Sequence, residues 1–180
     1  GTRRSAALGA AALAGVLAAE RDPALPVNGA GLRGIGGTAA SLTEGEIDSL
    51  VRGGVTPLES LGGVTSPIRG ITTKTKTGGA ADASWREITT ILIVDDVIPT
   101  LRESLGAKFL RSKNTARNRG AIRAQVIVEL ERKREAEIIE GYGEVTARAS
   151  EDDPTVCEVE FPFAVAHGLN QIYLTAHITV

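Results

Sequence analysis

The stretch from Gly141 to Val180 constrains the fold most. It reads as three strand-like runs separated by turn residues. In the middle run Cys157, Val159, Phe161, Phe163 and Val165 alternate with Val156, Glu158, Glu160, Pro162 and Ala164. In the last run Ile172, Leu174, Ala176, Ile178 and Val180 alternate with Tyr173, Thr175, His177 and Thr179. A period of two places one set of side chains on a buried face and the other in water. The last run reaches the end of the sequence with no polar tail. Its open backbone groups are expected to pair with a strand of the same subunit or of a neighbour.

Helices are expected to precede this sheet. Residues 3–20 are dominated by Ala, with Leu8, Ala12, Val16 and Ala19 on one stripe and Gly9 and Gly15 suited to close packing. Asp22-Pro23 ends that segment. Residues 22–41 are rich in Pro and Gly and read as a loop. Thr43 and Glu46 form a capping box for a short helix to Arg52, stopped by Gly53-Gly54. Two short strands are expected at 55–61 and 64–73, around Gly62-Gly63. The tract Lys74–Ala83 reads as a mobile linker. Ser84 with Glu87 is a second capping box. It is expected to open a helix whose apolar stripe is Trp85, Ile88, Ile91, Leu92, Ile98, Leu101 and Leu105. Pro99 is expected to kink this helix and Gly106 to end it. A second long helix is expected over about 115–139, with Ile122, Val126 and Leu130 on one face, and Gly141 as its stop. Two helices followed by an antiparallel meander make an α+β pattern.

The totals exclude several classes. Among 180 residues the formal charge is −2, so nothing global points to nucleic acid or membrane. No apolar run approaches the length of a bilayer-spanning helix. One cysteine, Cys157, cannot form an internal disulfide. The absence of methionine leads us to expect the later part of a longer chain.

Candidate chemistry is sparse. Gly29-Ala30-Gly31-Leu32-Arg33-Gly34 has the GxGxxG spacing of dinucleotide sites, but Pro23 and Pro26 precede it and Ile35-Gly36-Gly37 follow. The strand and helix that such a site requires are missing, and a loop is the better reading. His167 and His177 have no third ligand at metal spacing. Cys157 with His167 as a nucleophilic pair is outweighed by a buried thiol and a turn histidine. Asp95 and Asp96 are adjacent on a helix and diverge. Glu158 and Glu160 share one strand face, as a solvated or partner-facing edge. No catalytic, cofactor-binding or metal-ligating set emerges.

One charge feature remains. Between Glu103 and Glu129 there is no acid, whereas Lys108, Arg111, Lys113, Arg117, Arg119 and Arg123 fall in that interval. Cations at the start of a helix oppose its dipole. An acidic partner surface is one explanation and a solvated face the other. Nucleic acid fits less well, because only Phe109 is interleaved for stacking.

Several segments taken together resemble the C-terminal half of contractile phage tail sheath proteins. They are Arg69-Gly70-Ile71-Thr72-Thr73, Asp82–Ile88, Leu105–Phe109, Glu137–Tyr142 and Ala164–Val180. Residues 8–35 resemble the end of the preceding subtilisin-like sheath domain. The resemblance implies residues 1–61 as the end of an upstream α/β domain and 62–83 as strand and linker. It implies 84–180 as the C-terminal sheath domain, with an arm over 169–180. It further implies a small sheet completed by terminal arms of neighbouring subunits. The arm residues would be Gln171, Ile172, Tyr173, Leu174, Thr175, Ala176, His177 and Ile178, hinged after Gly168. The basic interval becomes the candidate contact with the inner tube or another partner. Implied partners are other sheath subunits, the tube protein, and baseplate and tail terminator proteins, with no cofactor, nucleic acid or membrane insertion. The implied location is the virion tail, assembled in the host cytoplasm. The function would be structural, with contraction driving the tube through an envelope. A soluble binding module using the basic surface, and a hydrolase or nucleotide enzyme motivated by Cys157, His167 and the GxGxxG match, are the competing readings.

Overall fold

The computed structural model describes residues 6–39, 41–170, 172 and 174–177. The chain is α+β and divides into two compact units: Gly1–Arg21, Leu25–Thr89 and His167–Val180 form one, and Asp22–Ala24 with Thr90–Ala166 the other.

The first unit contains helix α1 (Ala6–Ala19) and helix α2 (Glu44–Arg52). Helix α1 buries no residue, and its half-buried positions are Gly9, Ala12, Leu13, Val16 and Leu17, so Leu8 and Ala19 of the expected stripe face outward. Nothing approaches Gly15, which is therefore not a packing glycine. The predicted capping box on α2 is present: Glu46 N–H donates to Thr43 Oγ1 at 3.4 Å and Thr43 N–H to Glu46 Oε2 at 2.8 Å. Strands β1 (Leu58–Leu61) and β2 (Val64–Pro67) form an antiparallel hairpin. The expected second strand was longer. The stretch Lys74–Ala83 is not a linker but a second hairpin, β3 (Lys76–Thr77) with β4 (Ala80–Ala81). In both hairpins two consecutive glycines at positive φ supply the turn: Gly62 and Gly63 at 58° and 82°, Gly78 and Gly79 at 58° and 86°. This geometry matches strand twist, and glycine adopts it without strain. Beyond it, the Thr77 hydroxyl and the Ser84 amide hold the Asp82 carboxyl down to about 2.

Helix α3 (Ile88–Phe109) begins four residues later than the Ser84 capping box predicted. Glu87 is used otherwise. Its backbone bridges Ile71, and its carboxylate pairs with Arg69. The neighbouring Thr72 N–H donates to the Arg86 carbonyl at 2.8 Å. These long-range bonds hold 84–87 as a turn, and local capping propensity gives way. The helix runs through Gly106, so that glycine does not stop it.

In the second unit the buried seam of α3 is Ile93, Val97 and Leu101, while Ile88, Ile91, Leu92 and Ile98 are only half-buried. The expected stripe holds in the second half, where Leu101 is buried and Leu105 packs against the core, and is rotated about the helix before it. Helix α4 (Ala116–Glu135) contributes Val126 and Leu130, as the periodicity predicted. Ile139 and Val145 complete the core. Strand β5 (Ile139–Tyr142) pairs antiparallel with β8 (Phe163–Val165), and β6 (Thr146–Ala149) with β7 (Cys157–Glu160). Gly143 N–H donates to the Pro162 carbonyl at 3.0 Å between the two pairings, so they form one bent two-stranded ribbon. The predicted middle run is thus two strands, interrupted at Phe161-Pro162, because proline offers no ladder donor. Of the predicted last strand, the described residues Ile172, Leu174, Thr175, Ala176 and His177 lie in no strand of this chain and are exposed. Gln171, Tyr173 and Ile178 lie outside the described residues.

Gly141 does not end α4; it lies within β5. The helix stops at Glu137, which has φ 57°. Ile138 N–H donates to the Lys133 carbonyl at 2.9 Å and Glu137 N–H to the Arg134 carbonyl at 3.0 Å. This is a Schellman closure with a glutamate in the left-handed position that glycine favours. Glu137 is exposed, so Glu137→Gly removes Cβ strain and is expected to raise stability by about 1 kcal/mol. Thermal unfolding of the two proteins checks this, and an unchanged or lower melting temperature contradicts it.

Candidate interaction surfaces

The basic interval occupies the end of α3, the connector 110–115 and the first half of α4. Its six cations divide into two sets. Lys108 Nζ donates to Gln125 Oε1 at 2.5 Å, Arg119 Nη1 to Asn114 Oδ1 at 3.1 Å, and Arg123 Nε to the Val145 carbonyl at 2.7 Å. These three brace the second unit internally. Arg111, Lys113 and Arg117 are exposed, and their side chains form no hydrogen bond or ion pair among the described residues. Leu110 beside them is 85% exposed. The connector is held by Asn114, whose Nδ2 donates to the carbonyls of Pro154 at 2.8 Å and Val156 at 3.0 Å. Sequence reasoning missed Asn114 and Leu110. Both sit in a short turn where periodicity carries no signal.

Beneath this surface α3 and α4 share a polar network around Glu129, which is 7% exposed. Ser104 Oγ and Gln125 Nε2 donate to its Oε1 at 2.8 and 2.7 Å, and Arg132 reaches both oxygens. Nearby Lys133 Nζ meets Asp96 Oδ2 at 2.5 Å. Burial pushes the Glu129 pKa up, but the Ser104 hydrogen bond and the Arg132 charge more than offset it, and the net direction is down.

The C-terminal segment is anchored in the first unit. Asn28 Nδ2 donates to Asn170 Oδ1 at 2.9 Å. A Cβ on Gly168 would lie 2.8 Å from Pro26 Cβ, so the segment fits there only as glycine. The loop receiving it is itself fixed to β2: Gly29 N–H donates to the Pro67 carbonyl at 2.9 Å and Leu32 N–H to the Thr65 carbonyl at 2.8 Å. Beyond Asn170 the described residues are exposed, Ile172 at 79% and Leu174 at 91%.

The other candidates assemble nothing. The GxGxxG stretch is a loop with no strand before it or helix after it. Cys157 is half-buried in β7, and His167 is exposed and outside that strand. Glu158 and Glu160 both pair with Arg148, at 3.4 and 2.7 Å. Among the described residues no His/Cys/Asp/Glu group is arranged to hold a metal, and no helix is long and apolar enough to cross a membrane.

Replacing Glu129 with Ala leaves the Ser104 hydroxyl without its acceptor and Gln125 Nε2 with only the Ser104 oxygen, and is expected to cost about 2 kcal/mol. Because the folded-state pKa of Glu129 is lowered, its contribution is present above the unfolded value of 4.5 and lost as pH falls through the folded value. Urea melts at neutral pH and near pH 3 check this. The wild type is expected to lose more stability on acidification than Glu129→Ala, and equal losses contradict it.

No curated protein matches the chain. The fold is similar to a sheath tail protein from Desulfitobacterium hafniense, with a TM-score of 0.71 at 16% identity, covering 92% of this chain and 42% of that one. It is similar to a chain of the anti-feeding prophage baseplate, with a TM-score of 0.69 at 14% identity, covering 91% of this chain and 47% of that one. A sheath tail protein from Listeria innocua gives 0.58 at 9% identity, covering 79% of this chain and 38% of that one. The chain therefore spans less than half the length of these relatives. The model of the phage tail sheath C-terminal domain matches residues 80–179, which include α3, α4, the ribbon and the exposed tail. The chain belongs to the phage tail sheath family, through its C-terminal domain.

Proposed function

We propose that this chain is part of a structural subunit that polymerises helically around an inner tube and contracts to drive the tube through a cell envelope. The observation that carries this reading is the exposed tail beyond the Asn28–Asn170 anchor, together with a ribbon only two strands wide. Each ribbon strand has one partner among the described residues, so each has an unpaired edge there. A two-stranded ribbon alone is marginal, and a strand from another copy completes its ladder. The tail alternates apolar and polar residues as an added strand requires.

In this reading the arm is the segment after Asn170. Gly168 is packed against Pro26, so the swinging point lies beyond the anchor rather than at Gly168. Backbone pairing between copies can persist while other interfaces repack, which links subunits through a contraction. The free cations Arg111, Lys113 and Arg117 face an acidic surface of the tube or an adjoining subunit. The work comes from interface free energy shared among many copies, with neither cofactor nor catalytic group. Assembly takes place in the host cytoplasm, with baseplate and terminator proteins at the two ends, and the product resides in the tail.

Deleting residues 171–180 from the full-length protein is expected to abolish assembly while leaving the melting temperature nearly unchanged, because the anchor through Asn170 is retained. Electron microscopy with and without the tube protein reads the result. Striated tubes formed by the truncated protein would refute the arm.

A further inference from the structure

We infer that the α3–α4 connector of one copy docks into a concavity at the bend of the β-ribbon of the next copy. This rests on the reading above, since it takes the copies to assemble.

The concavity has a volume of about 440 Å³ and is lined by Glu144, Thr146, Glu160, Phe161 and Pro162. It lies where the two pairings meet, beside the ladder pair Thr146–Glu160 and the hydrogen bond from Gly143 N–H to the Pro162 carbonyl. Glu144 is exposed, and its carboxylate has no partner among the described residues. Glu160 shares the Arg148 guanidinium with Glu158. Thr146 Oγ1 is buried and has no hydrogen-bond partner among the described residues. Phe161, half-buried and stacked on Phe163 with ring centroids 6.1 Å apart, and Pro162 supply an apolar surface. The site thus asks for an apolar side chain flanked by cations.

The connector of the same unit presents that combination. Leu110 projects, with Arg111, Lys113 and Arg117 around it, exposed and unpaired among the described residues. The wider charge distribution agrees. Residues 104–128 hold six cations and no acid, whereas 137–166 hold eight acids and only Arg148 as a cation. The acids Glu151, Asp152 and Asp153 belong to the same loop that Asn114 grips, yet none forms an ion pair with the connector. The connector's charge is therefore not consumed within its own copy. Opposed fields of this kind raise encounter rates and fix register, with a reach of about 8 Å at physiological salt.

The two surfaces are different patches of one unit. Their contact is heterologous, and a heterologous contact that does not close propagates as an open helix. The same pairing is thus incompatible with a two-fold dimer and leads to a ring or a helix.

The test uses the full-length protein and two charge-reversed variants, one with Glu144→Lys and Glu160→Lys, the other with Arg111→Glu and Arg117→Glu. Each alone is expected to lower the pelleted, tube-forming fraction on the order of tenfold. A one-to-one mixture restores attraction at both contacts and is expected to recover striated tubes. Glu144→Lys alone, at an exposed position with no internal partner, is expected to weaken assembly without lowering the melting temperature. Wild-type assembly by both double variants, or a mixture that stays unassembled, overturns the docking. If the Arg111/Arg117 variant also loses binding to isolated tube protein while the mixture stays unassembled, the basic connector belongs to the tube instead. A wild-type protein that forms no tubes with or without its tube protein overturns the sheath reading itself.

Discussion

The second unit depends on one apolar seam. Ile93, Val97 and Leu101 of α3 meet Val126 and Leu130 of α4, with Ile139 and Val145 from the chain that follows. Burying each such side chain is worth about 1.5–3 kcal/mol. The ribbon gives Ile139 of β5 to this seam and otherwise covers it loosely. Tyr142, Val159, Phe161, Phe163 and Val165 are only partly buried against the seam. Two strands gain few ladder bonds, so the seam fixes the ribbon where a neighbour can meet its edges. The polar groups are arranged around this constraint. Glu129 and Asp96 set how α3 and α4 meet, while Glu131 binds the Tyr142 hydroxyl and ties α4 to β5.

How much of this was legible depended on whether the signal was local. The Thr43–Glu46 capping box was, because its partners are three residues apart. So were the face of α4 carrying Val126 and Leu130 and the α+β pattern. The Ser84–Glu87 box has the same local form, yet Ile71, Arg69 and Thr72 claim that turn through bonds that sequence spacing does not reveal. The end of α4 was misplaced for a related reason. A glutamate at φ 57° takes the position where a glycine is expected, and the seam beyond Ile138 compensates for the strain. On α3 seven of the eleven positions from Ile88 to Ile98 are apolar, so several stripes competed and packing chose the one through Ile93 and Val97.

The candidate surfaces were partly legible. The acid-free interval stood out from sequence alone. That Lys108, Arg119 and Arg123 are spent on internal bonds did not, because Gln125, Asn114 and the Val145 carbonyl are brought to them by the fold. On the acidic side Glu158 and Glu160 stood out as one strand face, whereas Glu144 did not, because it lies on a separate stretch of chain. Only strand pairing gathers Glu144 and Glu160 at one bend.

The anchor at Asn28 and Asn170 also has a mechanical meaning. Any pull on the tail arrives first at this one amide–amide hydrogen bond and at the contact between Gly168 and Pro26. From there the load passes into the loop at 27–32 and, through the bonds to Thr65 and Pro67, along the β1–β2 hairpin. Hydrogen bonds strung along a strand share a lengthwise load, whereas bonds opened from one end fail in turn. If the tail is the proposed arm, this joint sets the tension at which it would peel away from its own domain.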